Sequence, residues 1–256
     1  MYMIDLNSDI GESFGAYVMG NDKGVMKSIT SANVACGFHA GDPVVLKNTI
    51  ALCAEMGVAA GAHPGYPDLV AFGRRNMACS PDELYSDCLY QIGATAAFCN
   101  ASGLELQHVK PHGAMYNQAA KSYELADAIT CAIKDAGGNL ILVGLANSEF
   151  ERAAKDRGVL FAAEAFADRG YMPDGSLVPR TQPGAIIHDA ALAAERVVRM
   201  AVEGIVESVD GTLVSFRPDT VCMHGDTREA VEMAAAVRKA LEAAGVTIKN
   251  LKEVVS

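Results

Sequence analysis

The 256-residue sequence contains no block of lysine or arginine, and its formal net charge is −10. That balance argues against a nucleic-acid footprint or a polybasic membrane patch. No apolar run approaches the roughly 18–20 residues that a membrane span needs. The opening stretch MYMIDLNSDIGE has neither the basic n-region nor the long apolar h-region of a secretory signal. Seven cysteines are present, an odd number, and none forms a C-x-x-C pair. Cys36, Cys53, Cys88, Cys99, Cys131 and Cys222 fall inside apolar runs, where a free thiol packs as a small hydrophobe. So many thiols would risk mispairing in an oxidising compartment. The expectation is a cytoplasmic protein without membrane or nucleic-acid partners.

Several catalytic signatures are missing too. No G-x-G-x-x-G follows the first strand candidate, which counts against a dinucleotide-binding sheet. No G-x-x-x-x-G-K-[ST] loop offers a standard phosphate cradle, no GxSxG elbow presents a serine, and no H-E-x-x-H marks a zinc helix. Ser8 and Ser13 carry no mark of a nucleophile.

What is present is apolar and regularly patterned. Half of the residues are hydrophobic and 20% are charged, enough for a sizeable core. Strand candidates YMIDLN, ANVAC, GVAAGA, LQHVK, LILVGL, VLFAAEAF and TVCMH, with GVTIKNL as a weaker eighth, alternate with helical patterns. Asp42-Pro43 opens a helix bearing Leu46, Ile50 and Cys53 on one face, and Gly57 closes it. Ser80-Pro81-Asp82-Glu83 has capping-box spacing before Leu84, Cys88, Ile92 and Thr95, and Asp226 with Glu229 repeats that spacing near the C-terminus. Strand–helix alternation means parallel strands, and the expectation is one domain over residues 1–256, a seven- or eight-stranded (β/α) TIM-like barrel. The long irregular stretch 167–187 reads as a lid or binding loop on its rim.

Chemistry-bearing residues fall where these strands end. The first gives Asp5, Asn7, Asp9 and then Glu12; the second His39 and Asp42; the third His63 and Asp68. The fourth gives Lys110 and His112, the sixth Glu164, Asp168 and Arg169, and the seventh His224 and Asp226. In a parallel barrel these ends share one rim, where active sites are built. Asp5, Asn7 and Asp9 alternate onto one face, as do His108, Lys110 and His112. A carboxylate stripe pointing into a barrel must meet cations, hydrogen-bond donors or a metal.

Plainer roles exist for single residues. Asp42 and Asp226 suit helix caps, Asp5 could pair with Lys110, and His108 could be a core histidine. Arg74 and Arg75 are surface charges or an anchor for carboxylate or phosphate. Asp9, His63 and His112 could hold a divalent metal.

The motifs DLNSDIGESFG, NVACGFHAGDP, GAHPGYPD, FGRR, VKPHGAMYN, EAFADRGY and HGD, in that order across residues 5–226, closely resemble the LamB/YcsF family, the A subunits of ATP-dependent 5-oxoprolinase. The resemblance implies a distorted barrel of the glycoside hydrolase/deacetylase type. It also implies opening of 5-oxo-L-proline to L-glutamate with ATP as co-substrate, in a complex with subunits B and C; a homo-oligomer stays open. Placed on that chemistry, Asp9, Glu12 or His63 serves as base. Lys110 and His112 face developing negative charge. Arg74, Arg75 or Arg169 holds the substrate carboxylate, and Asn7, His39, Glu164, Asp168 and His224 complete the binding set. Without a phosphate loop, either ATP binds by a non-standard motif or partner subunits supply the kinase function. The rival readings are a metal-dependent deacetylase or amidohydrolase acting without ATP, and a barrel that only binds a small acid.

Overall fold

The computed structural model describes residues 2–223 and 228–255, with side chains in the second stretch from residue 230. Among the described residues ten strands run in chain order: β1 (Met3–Ile10), β2 (Ser31–Ala35), β3 (Ala59–His63), β4 (Leu106–Val109), β5 (Ile141–Leu145), β6 (Leu160–Phe166), β7 (Ile205–Glu207), β8 (Leu213–Ser215), β9 (Thr220–Cys222) and β10 (Thr247–Ile248). The helices are α1 (Asp22–Val25), α2 (Pro43–Met56), α3 (Pro81–Ala101), α4 (Gly113–Ala119), α5 (Tyr123–Asp135), α6 (Glu149–Arg157), α7 (Ala190–Glu203), α8 (Arg228–Ala243) and α9 (Leu251–Val254).

Strands β1 to β6 pair in sequence, all parallel, and β9 closes the ring by pairing with both β6 and β1. The result is a seven-stranded (β/α) barrel, the architecture that the alternation predicts. Closure leaves none of these seven strands as an edge. The weak eighth strand is real but lies outside the ring. β10 pairs with Met3 and Ile4 of β1, and α9 behind it puts Leu251 against Ile141, Val143 and Ala162. That packing floors the N-terminal end of the barrel.

The helix signals hold at the level of atoms. Asp42 caps α2 by accepting from the Val44 and Val45 amides, and Gly57 ends it at φ 68°. Ser80 and Glu83 form the reciprocal capping box of α3. Leu46, Ile50 and Cys53 of α2, and Leu84, Cys88, Ile92 and Thr95 of α3, are buried. Asp226 lies outside the described residues. The antiparallel pair β7–β8 escaped the sequence reading because each strand is only three residues long. Asp210-Gly211 between alternating apolar residues was the available signal, since that dipeptide favours hairpin turns.

Residues 167–187 form a wall beside the barrel mouth. Arg169 pairs with Ile186, and Tyr171 with Leu177, as isolated bridges. The buried Arg169 guanidinium donates to the carbonyls of Val178 (2.6 Å) and Ala185 (3.0 Å), which ties the segment together from inside. All seven cysteines are free thiols; Cys79 and Cys131 are half-buried and the rest buried. Among the described residues, no helix is long and apolar enough to cross a membrane.

Candidate active site

Strand alternation sends Asp5, Asn7 and Asp9 into the barrel, where they climb from floor to mouth. Asp5 is fully buried and accepts from the hydroxyls of Thr30 (2.7 Å), Ser31 (2.6 Å) and Thr220 (2.5 Å). Burial raises its pKa to about 6, against the pull of those hydrogen bonds. The simplest sequence account, a pair between Asp5 and Lys110, is therefore corrected: Lys110 sits one layer higher and uses other carboxylates. Its ammonium meets Asp9 Oδ1 at 2.9 Å and Glu164 Oε1 at 2.8 Å, with Cys222 Sγ at 3.0 Å and Asn7 Oδ1 at 3.3 Å. Burial alone would discharge this lysine, but Asp9 and Glu164, with Cys222, hold its pKa well above the usual value. It stays a cation.

Three loops bring the imidazoles together. The amide of Lys110 donates to Ala62, that of His112 to Pro64 and that of Ala114 to Gly73. These bonds stitch the ends of β3 and β4 to the segment around FGRR. Gly73 is required there, because at φ 63° an added Cβ would press into His39 and His112. The rings of His39 and His112 stack in parallel at 3.8 Å, and His63 meets His112 edge-on at 4.9 Å.

Hydrogen bonding fixes where the ring protons sit. His63 Nδ1 faces the Lys110 carbonyl at 2.6 Å, and His112 Nε2 faces the Phe72 carbonyl at 2.8 Å. A carbonyl only accepts, so those two nitrogens carry the protons. In neutral rings the other two nitrogens, His63 Nε2 and His112 Nδ1, are both lone pairs, yet they face each other at 3.0 Å. Asp9 Oδ2 lies 3.2 Å from His63 Nε2, and Glu12 Oε1 lies 3.7 Å from His112 Nδ1 and 3.5 Å from His39 Nε2. Acceptors gathered this closely repel unless a proton or a metal ion sits among them.

Glu12, His39, His63 and His112 together make a candidate metal site. Burial, reinforced by neighbouring imidazoles, pushes the pKa of both His39 and His112 well below the usual value. The buried nitrogens of His39 have no hydrogen-bond partner. Ligand atoms of Glu12, His39, His63 and His112 all lie within 4.8 Å of one another, and three imidazoles with a carboxylate suit a zinc-like ion. The expected ligand set is Asp9, His63 and His112; the clustered candidate group holds His63 and His112 together with Glu12 and His39. Asp9 stands beside the cluster, its Oδ1 bound to Lys110 and to Asn33 at 2.8 Å.

A cleft of about 1240 Å³ opens above this group. Of the predicted site residues, Asp9, His63, Lys110, His112, Arg74, Arg75 and Arg169 line it. Asn7, Glu12, His39 and Glu164 lie behind that surface and act on it through their partners. Asp168 is half-buried, and its backbone carbonyl accepts from the Ile187 amide at the base of the 167–187 wall. His224 lies outside the described residues. Arg75 already forms an ion pair with Asp68, whereas Arg74 stacks over Phe72 at 4.9 Å. His108 packs against Gly61 and bonds Asn33 at 2.8 Å, a core role.

Sequence reading missed Asn33, Phe72 and Tyr116. Asn33 donates to both Asn7 and Asp9, and its signal was its place opposite Asp9 in the β1–β2 register. Tyr116 donates to Glu164 Oε2 at 2.8 Å. It lies four residues after His112, one helical turn on. Phe72 sets an edge against both His39 and His112, and nothing in the sequence distinguished it from a rim hydrophobe.

Known proteins resemble this chain over nearly its whole length. A model of the LamB/YcsF family matches residues 4–256. The chain is 53% identical over 253 residues to the A subunit of 5-oxoprolinase from Bacillus subtilis, covering 99% of this chain and 98% of that protein. It is also 53% identical over 250 residues to the A subunit of 5-oxoprolinase from Pyrococcus abyssi, with 98% of each covered. The crystal structure of a lactam utilization protein from Thermus thermophilus superposes with a TM-score of 0.91 at 49% identity, covering 96% of this chain and 99% of that one. A family match across the whole barrel, joined to relatives of this identity and coverage, settles the kinship: the chain belongs to the LamB/YcsF family.

Proposed function

We propose that this chain opens the lactam ring of 5-oxo-L-proline to give L-glutamate, as the A component of a 5-oxoprolinase that cleaves ATP together with subunits B and C. The names of the relatives support the substrate. One geometric observation carries the chemistry: a single carboxylate, Asp9, faces His63 through one oxygen and the Lys110 ammonium through the other, on the surface of an open cleft.

A lactam is a resonance-stabilised amide. Opening it requires water to attack the carbonyl carbon, the ring C–N bond to break and a proton to reach the departing nitrogen. Asp9 Oδ2 is placed to take the proton from water and pass it to that nitrogen. Lys110 and Asn33 hold Oδ1, so both act as positioning residues. A divalent cation held by Glu12, His39, His63 and His112 would polarise the lactam oxygen. Arg74 or Arg169 would anchor the substrate carboxylate, as would Arg75 if Asp68 released it. Ring opening is unfavourable enough to need ATP. Transfer of its terminal phosphoryl group to the lactam oxygen would release ADP and activate the carbon. A first water with C–N cleavage would leave an acyl phosphate, and a second water would release orthophosphate and the new carboxylate of glutamate.

The test is glutamate release from 5-oxo-L-proline by this chain, alone and with its partner subunits, with and without ATP. ATP-dependent release by the assembly and negligible release by the chain alone are expected. No release by the assembly would refute the reading. The crowded imidazole lone pairs favour one alternative, a metal-dependent amidohydrolase that needs no ATP. Metal-dependent, ATP-independent hydrolysis of a small amide by the isolated chain would establish it.

A further inference from the structure

The three imidazoles of the candidate metal group are not held alike. His63 and His112 each turn one ring nitrogen to a backbone carbonyl, that of Lys110 at 2.6 Å and that of Phe72 at 2.8 Å. Such bonds fix the orientation of a ligating imidazole. His39 has no counterpart: among the described residues its buried Nδ1 meets no hydrogen-bond partner. Its ring is held by packing instead, stacked on His112 and set edge-on to His63 and Phe72. The edge carrying Nδ1 rests on Gly65, where an added Cβ would stand 2.5 Å from that nitrogen. The backbone of Gly65 is not left-handed, so its missing side chain serves close approach rather than turn geometry.

What places Gly65 is a side chain from outside the barrel. Gly65 is buried and lies just beyond the end of β3. Gln91 of α3, itself fully buried, serves both of its backbone groups. Oε1 accepts from the Gly65 amide at 3.0 Å, and Nε2 donates to the Gly65 carbonyl at 3.0 Å. A carboxamide offers a donor and an acceptor side by side, as neither an ammonium nor a carboxylate does. Nε2 also donates to the Asp87 carbonyl at 3.0 Å within α3, a helix whose Leu84, Cys88 and Ile92 are packed in the core. The wall beside His39 is thereby registered to α3.

We propose that Gln91 is a positioning residue for the metal group: by clamping Gly65 it sets the His39 ring, doing through packing what a carbonyl does for His63 and His112. Its consequence for metal binding rests on the divalent-cation reading above; the placing of His39 does not.

Two measurements on the full-length chain test it. In the metal-free protein, Gln91→Leu should shift the His39 ring resonances in an aromatic proton–carbon correlation spectrum and leave those of the exposed His188 in place. In a cobalt(II) titration followed by visible absorption, the same variant should bind about ten- to a hundredfold more weakly than wild type. Gln107→Leu, which removes a buried carboxamide beside Ser31 and Asn250 at the barrel floor, should alter neither. The loss should also pass through His39. In a His39→Ala background, Gln91→Leu should change cobalt affinity by no more than about twofold. If Gln91→Leu does not fold, Gly65→Ala carries the test: the added Cβ meets His39 with the clamp intact, and the same shift and loss are expected. Unchanged His39 resonances, wild-type cobalt affinity, or an equal loss with and without His39 would overturn the proposal. A wild-type chain that takes up no cobalt refutes only the metal reading, because the ring resonances still report whether Gln91 places His39.

Discussion

Asp5 and Asp9 stand four residues apart on one face of one strand, yet their surroundings differ in kind. Asp5, near the floor, is answered by three hydroxyl groups and no cation. Asp9, near the mouth, is shared between an ammonium and an imidazole and reaches an open cleft. Hydroxyls can rotate to serve a neutral or an ionised carboxyl. A lysine held by two carboxylates cannot give up its charge without leaving them uncompensated. The floor carboxyl is therefore bound into neutral structure, and the mouth holds paired charge beside the cleft.

The two aspartates should part most sharply when each is exchanged for asparagine. Asp9→Asn should lower lactam turnover by the reconstituted enzyme by about a thousandfold, within the range for loss of a general base. Its far-UV circular dichroism should match wild type. Turnover within about threefold of wild type would move the base elsewhere.

Asp5→Asn should act on stability instead. The folded-state pKa of Asp5 is raised to about 6 from 3.8, so the folded protein binds the proton more tightly than the unfolded chain. That contribution is present below pH 4 and is lost as the pH rises through 6. Over this window the difference in unfolding free energy between wild type and Asp5→Asn should move by about 3 kcal/mol against wild type. Urea unfolding at a series of pH values measures it, and a pH-independent difference would contradict the assignment. A smaller effect is expected from Tyr116→Phe, which removes one donor from Glu164 Oε2. It should cost about 1–2 kcal/mol in the same unfolding assay, with turnover reduced only a few-fold.

The same contrast explains what the sequence could reveal. Period-two alternation and turn residues marked the ends of β1 to β4, and that was enough to bring Asp9, His63, Lys110 and His112 to one rim. Spacing carries no information on which carboxylate meets which cation. Asp5 and Asp9 look alike in the sequence, and Lys110 chooses between them by height in the barrel, which depends on strand stagger. Arg75 and Arg74 are adjacent, yet it is Arg75 that pairs with Asp68, a consequence of the turn at Leu69–Ala71. Glu12 and His39 joined His63 and His112 as metal-binding candidates through contacts between loops, which no local pattern records.

Glu12, His39, His63 and His112 form a candidate metal site at the mouth, and the proposed chemistry places a divalent cation there. Titration of the metal-free chain with cobalt(II), followed by its visible absorption, tests this directly. One equivalent should give a d–d spectrum in wild type and in Asp5→Asn, and none in the His63→Ala/His112→Ala double variant. A wild-type chain that takes up no cobalt or zinc, or a double variant that binds as well as wild type, would contradict the account.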